Sequence, residues 1–236
     1  MQELGEIFGL AIGLIVSADE NLLEIIFLSL RVSLSAVLIS CLIGMPLGAM
    51  LGMTRFRGHA AVLVLLNALM GLPPVVVGLV VYMLLSNAGP MGWLQLLYTP
   101  TAMIIAQTIL ITPIVAALTR QVIESLHSEY ADQFRSMCVS ARTAVATLLW
   151  DARVSLLTVA LAGFGRAIAE VGAVMIVGGN IEHSTRVLTT AIALETSKGD
   201  LPLAIGLGIV LIVISVCVNA GVFLLRGETR IEGAGR

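Results

Sequence analysis

Residues 120–153 read RQVIESLHSEYADQFRSMCVSARTAVATLLWDAR and separate two long apolar runs. Apolar side chains recur along them at steps of three and four: Val122, Leu126, Tyr130, Phe134, Met137, Ala141, Val145 and Leu148. That period lays one stripe along an amphipathic pair of helices. Beside the stripe stand Glu124, Glu129 and Asp132, with four arginines, Arg120, Arg135, Arg142 and Arg153. A helix resting on anionic lipid prefers a lysine-rich polar face, so these acidic residues favour a protein as the surface that meets the stripe. The segment therefore reads as a cytosolic docking surface on a membrane subunit driven by a soluble partner.

The runs on either side decide the fold. Apolar residues make up 58% of the chain and charged residues 12%, with a mean hydropathy of +1.03. A soluble domain is about half apolar and a quarter charged, so this chain is solvated mainly by lipid. Runs at 24–52, 60–85, 101–118, 154–177 and 201–225 are long enough to cross a hydrocarbon core, which takes roughly 20 helical residues. No alternating barrel pattern occurs, and helices satisfy their own backbone in lipid. The expected fold is an all-α integral membrane protein with one domain at 22–225, the cytosolic segment 120–153 within it, and a cytosolic tail at 226–236. A further run, 7–16, is too short to span. Glu3 and Glu6 precede it in place of the basic residues of a signal peptide. Residues 1–21 are accordingly expected to form an interfacial or re-entrant segment.

Basic residues set the orientation. Arg55 and Arg57 follow the first run, the four arginines above lie between the third and fourth, and Arg226, Arg230 and Arg236 follow the fifth. Only Arg186 and Lys198 fall on the other side. Because positive residues stay cytosolic, the N-terminus is expected outside and the C-terminus inside the cytoplasmic membrane.

Within the runs, Pro46 is expected to kink the first, and Arg31 to snorkel outward or hydrogen-bond a neighbouring helix. Helix breaks are expected at Pro73-Pro74, flanked by Gly71 and Gly78, and at Pro113. Such a break is either a packing kink or a cavity-lining interruption. Gln107, Thr108 and Thr112 are suited to bonds between helices, and Trp93 and Tyr98 to an interfacial belt. Arg166 and Glu170 stand four apart in the fourth run, where they pair on one helix face, or Arg166 serves an anionic solute. Gly178-Gly179-Asn180 permits a tight turn, followed by a short helix at 187–195 that ends at Lys198-Gly199. Ser184, Thr185, Thr189 and Thr190, with Arg186, either line an anion path or cap helices.

Enzyme chemistry has no foothold here. There is no nucleophile–base set, carboxylate dyad or phosphate-binding glycine loop. Cys41 and Cys217 fall in membrane runs and Cys138 in the cytosolic segment, with no CxxC pair. His59, His127 and His183 lie in three loops on two sides of the membrane, so no metal site is expected. The bilayer and other proteins, not nucleic acid, are the expected partners.

LPPVVVGL at 72–79, TPTAMIIAQTILITPIV at 99–115 and FGRAIAEVGAVMIVGGNI at 164–181 together resemble the membrane subunit of molybdate- and tungstate-type ABC importers. Each piece is weak alone; their order and spacing are specific, and the likeness covers about 28–225. EVGAVMIVGGNI followed by TRVLTTAIALETSKGD at 185–200 is most similar to the tungstate type. The resemblance implies a type I importer transmembrane domain that works as a homodimer. A cytosolic ATPase subunit would carry ATP and magnesium, since this chain has no Walker motif, and an extracytoplasmic binding protein would deliver the oxyanion. The implied solute is tungstate, with molybdate or sulfate, or a partner-independent secondary anion transporter, as alternatives.

In this family the ATPase docks on a loop with the pattern EAA, three residues, Gly, nine residues, then I-x-L-P. It falls on 131–150, where the chain departs from the pattern. Ala131-Asp132-Gln133 stand in place of EAA, Met137 in place of Gly, and Leu149-Trp150 in place of Leu-Pro. The resemblance implies a short coupling helix at 137–142, including Ser140 and Arg142. The pathway candidates are Arg166, Glu170, Gly178, Gly179, Asn180, Thr185 and Arg186.

Overall fold

The computed structural model describes residues 20–233, with side chains over 21–221. The helix expected at 7–16 lies outside the described residues. Among those described, every regular element is helical. In order they are α1 (Glu20–Met53), α2 (His59–Met70), α3 (Pro74–Leu85), a 3-10 turn (Gly92–Leu94), α4 (Pro100–Ser136), α5 (Ala141–Asp151), α6 (Arg153–Ile168), α7 (Gly172–Gly178), α8 (Leu188–Lys198) and α9 (Leu201–Gly233). Three stretches are long and apolar enough to cross a membrane: Asn21–Met53, α4, and Leu201–Gly221. The bent pairs α2–α3 and α5–α6 bring the number to five if each pair is one span.

The break at Pro73-Pro74 is present. α2 ends at Met70, and α3 begins at Pro74. Pro74 opens its helix, the position where a fixed φ and a missing N–H are harmless. Pro113 is different: α4 runs through it without interruption, so no break exists there. One lost backbone bond does not break a helix whose neighbours Ile111, Val115 and Ala116 are all fully packed. The fourth run is likewise not one helix. It divides into α6 and α7, with Ala169, Glu170 and Val171 between them.

The chain forms two compact units. The first comprises the residues up to Ser33, Pro74–Ala106 and everything from Ile168 on. In it α3 and α7 cross with their backbones almost touching, since a Cβ at Gly78 would stand 2.8 Å from Ala173 Cα. Leu188 and Ala191 of α8 pack on Leu207 and Val210 of α9, with Leu22, Ile25 and Ile26 of α1 against them. Ser29 seals that seam: its hydroxyl accepts from Leu188 N at 2.8 Å and donates to Ile25 O at 2.6 Å.

The second unit comprises Leu34–Pro73 and Gln107–Ala167. Its core depends on Gly44, Gly48 and Gly52, four residues apart on one face of α1. A Cβ at Gly44 or Gly52 would stand 3.0 Å from the Thr112 or Arg120 carbonyl, and one at Gly48 would strike Ala116 O. Lipid gives helices no hydrophobic reason to associate, so close approach through small residues is a principal source of attraction. Polar residues of α4 add bonds across the unit: Gln107 Nε2 donates to Ala167 O at 3.1 Å, and Thr108 O accepts from Ser40 Oγ at 3.3 Å. Thr112 instead bonds within its own helix, to Thr108 O at 2.7 Å.

Gly48→Leu should therefore destabilise the folded chain in detergent by at least about 3 kcal/mol, because the obstruction is backbone and cannot turn aside. Gly208→Ala, with nothing within 4 Å of the added carbon, should stay within about 1 kcal/mol of the parent. Thermal unfolding that shifts equally for both would contradict the close crossing.

Candidate functional site

The segment 120–153 forms a helical hairpin in the second unit. α4 continues past the third apolar run to Ser136, placing Ala131, Asp132 and Gln133 in its last turns, the latter two exposed. Its end is closed by Val139 N donating to Phe134 O at 3.1 Å and Cys138 N to Arg135 O at 3.2 Å. That is the Schellman arrangement, and it puts Cys138 in the left-handed region at φ 51°. Ser140 then caps α5, its hydroxyl accepting from Thr143 N at 3.3 Å. The short helix expected at 137–142 is therefore absent. Met137 and Ser140 belong to a turn, and Arg142 lies in the first turn of α5. The left-handed position is Cys138, one residue beyond Met137, where the pattern had placed the glycine.

Tyr130 Oη donates to Asp151 Oδ2 at 3.0 Å and ties the two arms of the hairpin. This bond holds the phenol above its ordinary pKa, since the carboxylate favours the neutral donor. Phe134 stacks between His127 and Tyr130 at 6.4 and 6.0 Å. Ala144 and Leu148 point inward and are buried. Met137 and Trp150 point outward, 73% and 72% exposed, with the Arg153 guanidinium 5.3 Å from the Trp150 ring. Exposed methionine, tryptophan and arginine on a braced scaffold are what a protein partner anchors on.

The other candidates gather in the first unit, Arg166 excepted. Arg166 lies in the last turn of α6, in the second unit, partly buried. Glu170 has left the helix, so the two do not share a helix face as expected. Its side chain is buried, and Oε1 accepts from Ala173 N at 3.1 Å, in the first turn of α7. A carboxylate there satisfies an amide that the new helix cannot. The Glu170 carbonyl in turn accepts from Thr189 Oγ1 of α8 at 2.8 Å.

Gly178 ends α7, and Gly179 and Asn180 follow in left-handed conformations at φ 72° and 51°. A Cβ at Gly179 would press into the Tyr98 ring, whose backbone N donates to Val177 O at 2.9 Å. The fully buried Thr185 hydroxyl donates to Gly178 O and accepts from Ile181 N. Thr190 Oγ1 accepts from Val187 N at 3.1 Å, at the start of α8. These hydroxyls are thus engaged with backbone. α8 starts one residue later than expected and runs to Lys198, closed by Gly199 at φ 84°. Ser184 is exposed, and Arg186 Nη1 pairs with Glu182 at 3.1 Å.

One contact could not be found from sequence spacing: His183 Nδ1 meets Glu24 Oε2 at 2.8 Å, across 159 positions. Lys198 Nζ meets the buried Glu195 at 2.8 Å, three residues away on α8, a spacing from which a pair can be read. The Gly44–Gly48–Gly52 spacing is likewise a readable signal of close helix packing. Among the described residues no group of three His, Cys, Asp or Glu is placed to hold a metal ion.

The bond to Glu24 raises the His183 pKa above 6.5. The pair's stabilisation is fully present below pH 6.5 and is lost as pH rises through the raised folded value. Glu24→Gln should therefore lower the melting temperature more at pH 5.5 than at pH 8.5. An equal effect at both would mean that the ion pair contributes nothing.

Comparison with known proteins agrees with this architecture. Residues 44–230 match the model of the binding-protein-dependent transport system inner membrane component. The tungstate uptake system permease protein TupB of Peptoclostridium acidaminophilum is 42% identical over 228 residues, covering 97% of this chain and 100% of the relative. A probable anion ABC transporter permease protein of Haloferax volcanii is 40% identical, covering 84% of this chain and 88% of the relative. The TupB protein of Campylobacter jejuni is 39% identical, covering 90% and 89%. The chain belongs to the family of binding-protein-dependent transport system inner membrane components.

Proposed function

We propose that this chain forms the translocation pathway of an ATP-driven importer for a tetrahedral oxyanion, tungstate. The observation that carries the reading is 42% identity along essentially the whole length of a tungstate uptake permease. The cytosolic hairpin supports it, because an importer of this kind needs a surface on which a separate ATPase acts. That ATPase carries ATP and magnesium and performs the hydrolysis, and an extracytoplasmic binding protein supplies the anion. The chain works with a second copy of itself. Its N-terminus faces outward and its C-terminus the cytosol, in keeping with the distribution of arginines.

Coupling follows from differential affinity: the ATPase moves the pathway only if ATP favours one of two conformations of the membrane subunit. The force enters at the hairpin, where Met137, Arg142 and Trp150 are exposed. The continuous α4 carries it directly toward the membrane. Glu170 and the turn at 178–186 form the framework of the outer end of the path.

The test uses the chain co-expressed with the ATPase and binding protein encoded beside it. Arg142→Glu should reduce co-purification of the ATPase by about fivefold or more while membrane insertion is unchanged, as charge reversal at an interface does. ATP hydrolysis by the reconstituted parent complex should rise with tungstate-loaded binding protein at lower concentration than with molybdate or sulfate. Unchanged co-purification would remove the hairpin from the docking surface. A stable complex stimulated by none of the anions would overturn the oxyanion assignment.

A further inference from the structure

Within the first unit, the α1 and α9 ends, α8 and the loop before it enclose a cavity of about 290 Å³. Leu22, Ile25, Leu28, Leu203 and Leu207 give it an apolar lining. Glu24, Glu182, Glu195, His183, Arg186 and Lys198 line it as well and carry all its ionisable side chains. The cavity adjoins the first residues of two stretches long enough to cross a membrane, Asn21–Met53 and Leu201–Gly221. The ends of such helices lie where hydrocarbon gives way to lipid headgroups.

The charges of the lining are matched in sign. Glu24 pairs with His183 at 2.8 Å, Glu182 with Arg186 at 3.1 Å and Glu195 with Lys198 at 2.8 Å. A bare dianion entering would meet three carboxylates, and a bare cation would meet Arg186 and Lys198. Neither fits. A zwitterion does, with its positive end beside a carboxylate and its negative end beside a guanidinium. Arg186 keeps donors to spare: Nη1 alone meets Glu182, and the buried Nε has no hydrogen-bond partner among the described residues. Guanidinium nitrogens take phosphate oxygens in paired bonds. The apolar lining has the chemistry to take part of an acyl chain, each methylene worth about 0.8 kcal/mol on burial.

We propose that this cavity binds a zwitterionic phospholipid with a primary ammonium headgroup. Phosphate lies at Arg186 and Lys198, ammonium at Glu24 and Glu195, and the start of an acyl chain against the apolar wall formed by Ile25, Leu203 and Leu207. A primary ammonium donates hydrogen bonds to the carboxylates, which a quaternary choline cannot, so phosphatidylethanolamine is preferred over phosphatidylcholine. An anionic headgroup lacks the positive end altogether.

The test delipidates the full-length chain in detergent and titrates it with phosphatidylethanolamine, phosphatidylcholine or phosphatidylglycerol of identical acyl chains. Native mass spectrometry counts bound lipid, and thermal unfolding reports its effect. Phosphatidylethanolamine should bind saturably, about tenfold tighter than either other lipid. Glu24→Gln and Lys198→Gln, on half-exposed side chains that tolerate substitution, should each weaken it by about fivefold. Arg186→Gln should weaken it further. Equal binding of all three lipids would mean a non-selective lipid coat and overturn the proposal, as would affinity unchanged by the variants. Stabilisation by tungstate alone, lost in Arg186→Gln, would give the cavity to the oxyanion instead.

Discussion

A helix interrupted inside a membrane uncovers amides and carbonyls that only protein or trapped water can satisfy. The gap between α6 and α7 is governed by that constraint. Glu170 answers it with both its side chain and its backbone, serving Ala173 N with the carboxylate and holding Thr189 with the carbonyl. A carboxyl oxygen at the start of a helix accepts from an amide that the helix itself cannot satisfy. α7, α8 and the turn at 178–186 are positioned from this point, and Thr185 repeats the device further along the chain.

Close backbone approach is the complementary requirement. Gly78 lets α3 lie directly on α7, and Gly44, Gly48 and Gly52 let α1 lie on α4. These crossings leave bent pairs and interrupted segments with enough packing to hold their shape in lipid. The same economy appears in α4, which runs unbroken from the third apolar run into the hairpin.

Much of this was legible in the chain. Apolar run lengths anticipated α1, α4 and α9, steps of three and four disclosed the helical hairpin, and Lys198-Gly199 marked the end of α8. The break at Pro73-Pro74 was readable because two adjacent prolines beside glycine leave a helix little choice. Pro113 misled, since one proline costs a single bond and the dense packing of α4 outweighs it. For Arg166 and Glu170, spacing of four implies a shared helix face only while the helix continues, and Glu170 lies beyond its end, where it caps the next helix. Cys138 adopts the left-handed position that composition would assign to glycine, so the turn could not be placed to the residue. The Glu24–His183 contact joins distant positions and leaves no trace in local pattern.

Uptake itself is the most direct measurement. The chain, its ATPase and its binding protein would be reconstituted in sealed vesicles, and tungsten inside them counted by elemental mass spectrometry after ATP is supplied. The expected result is ATP-dependent accumulation, retained largely in Glu170→Gln, which keeps an acceptor for Ala173 N, and lost in Glu170→Ala. Accumulation independent of ATP, none at all in the parent, or full transport by Glu170→Ala would contradict it.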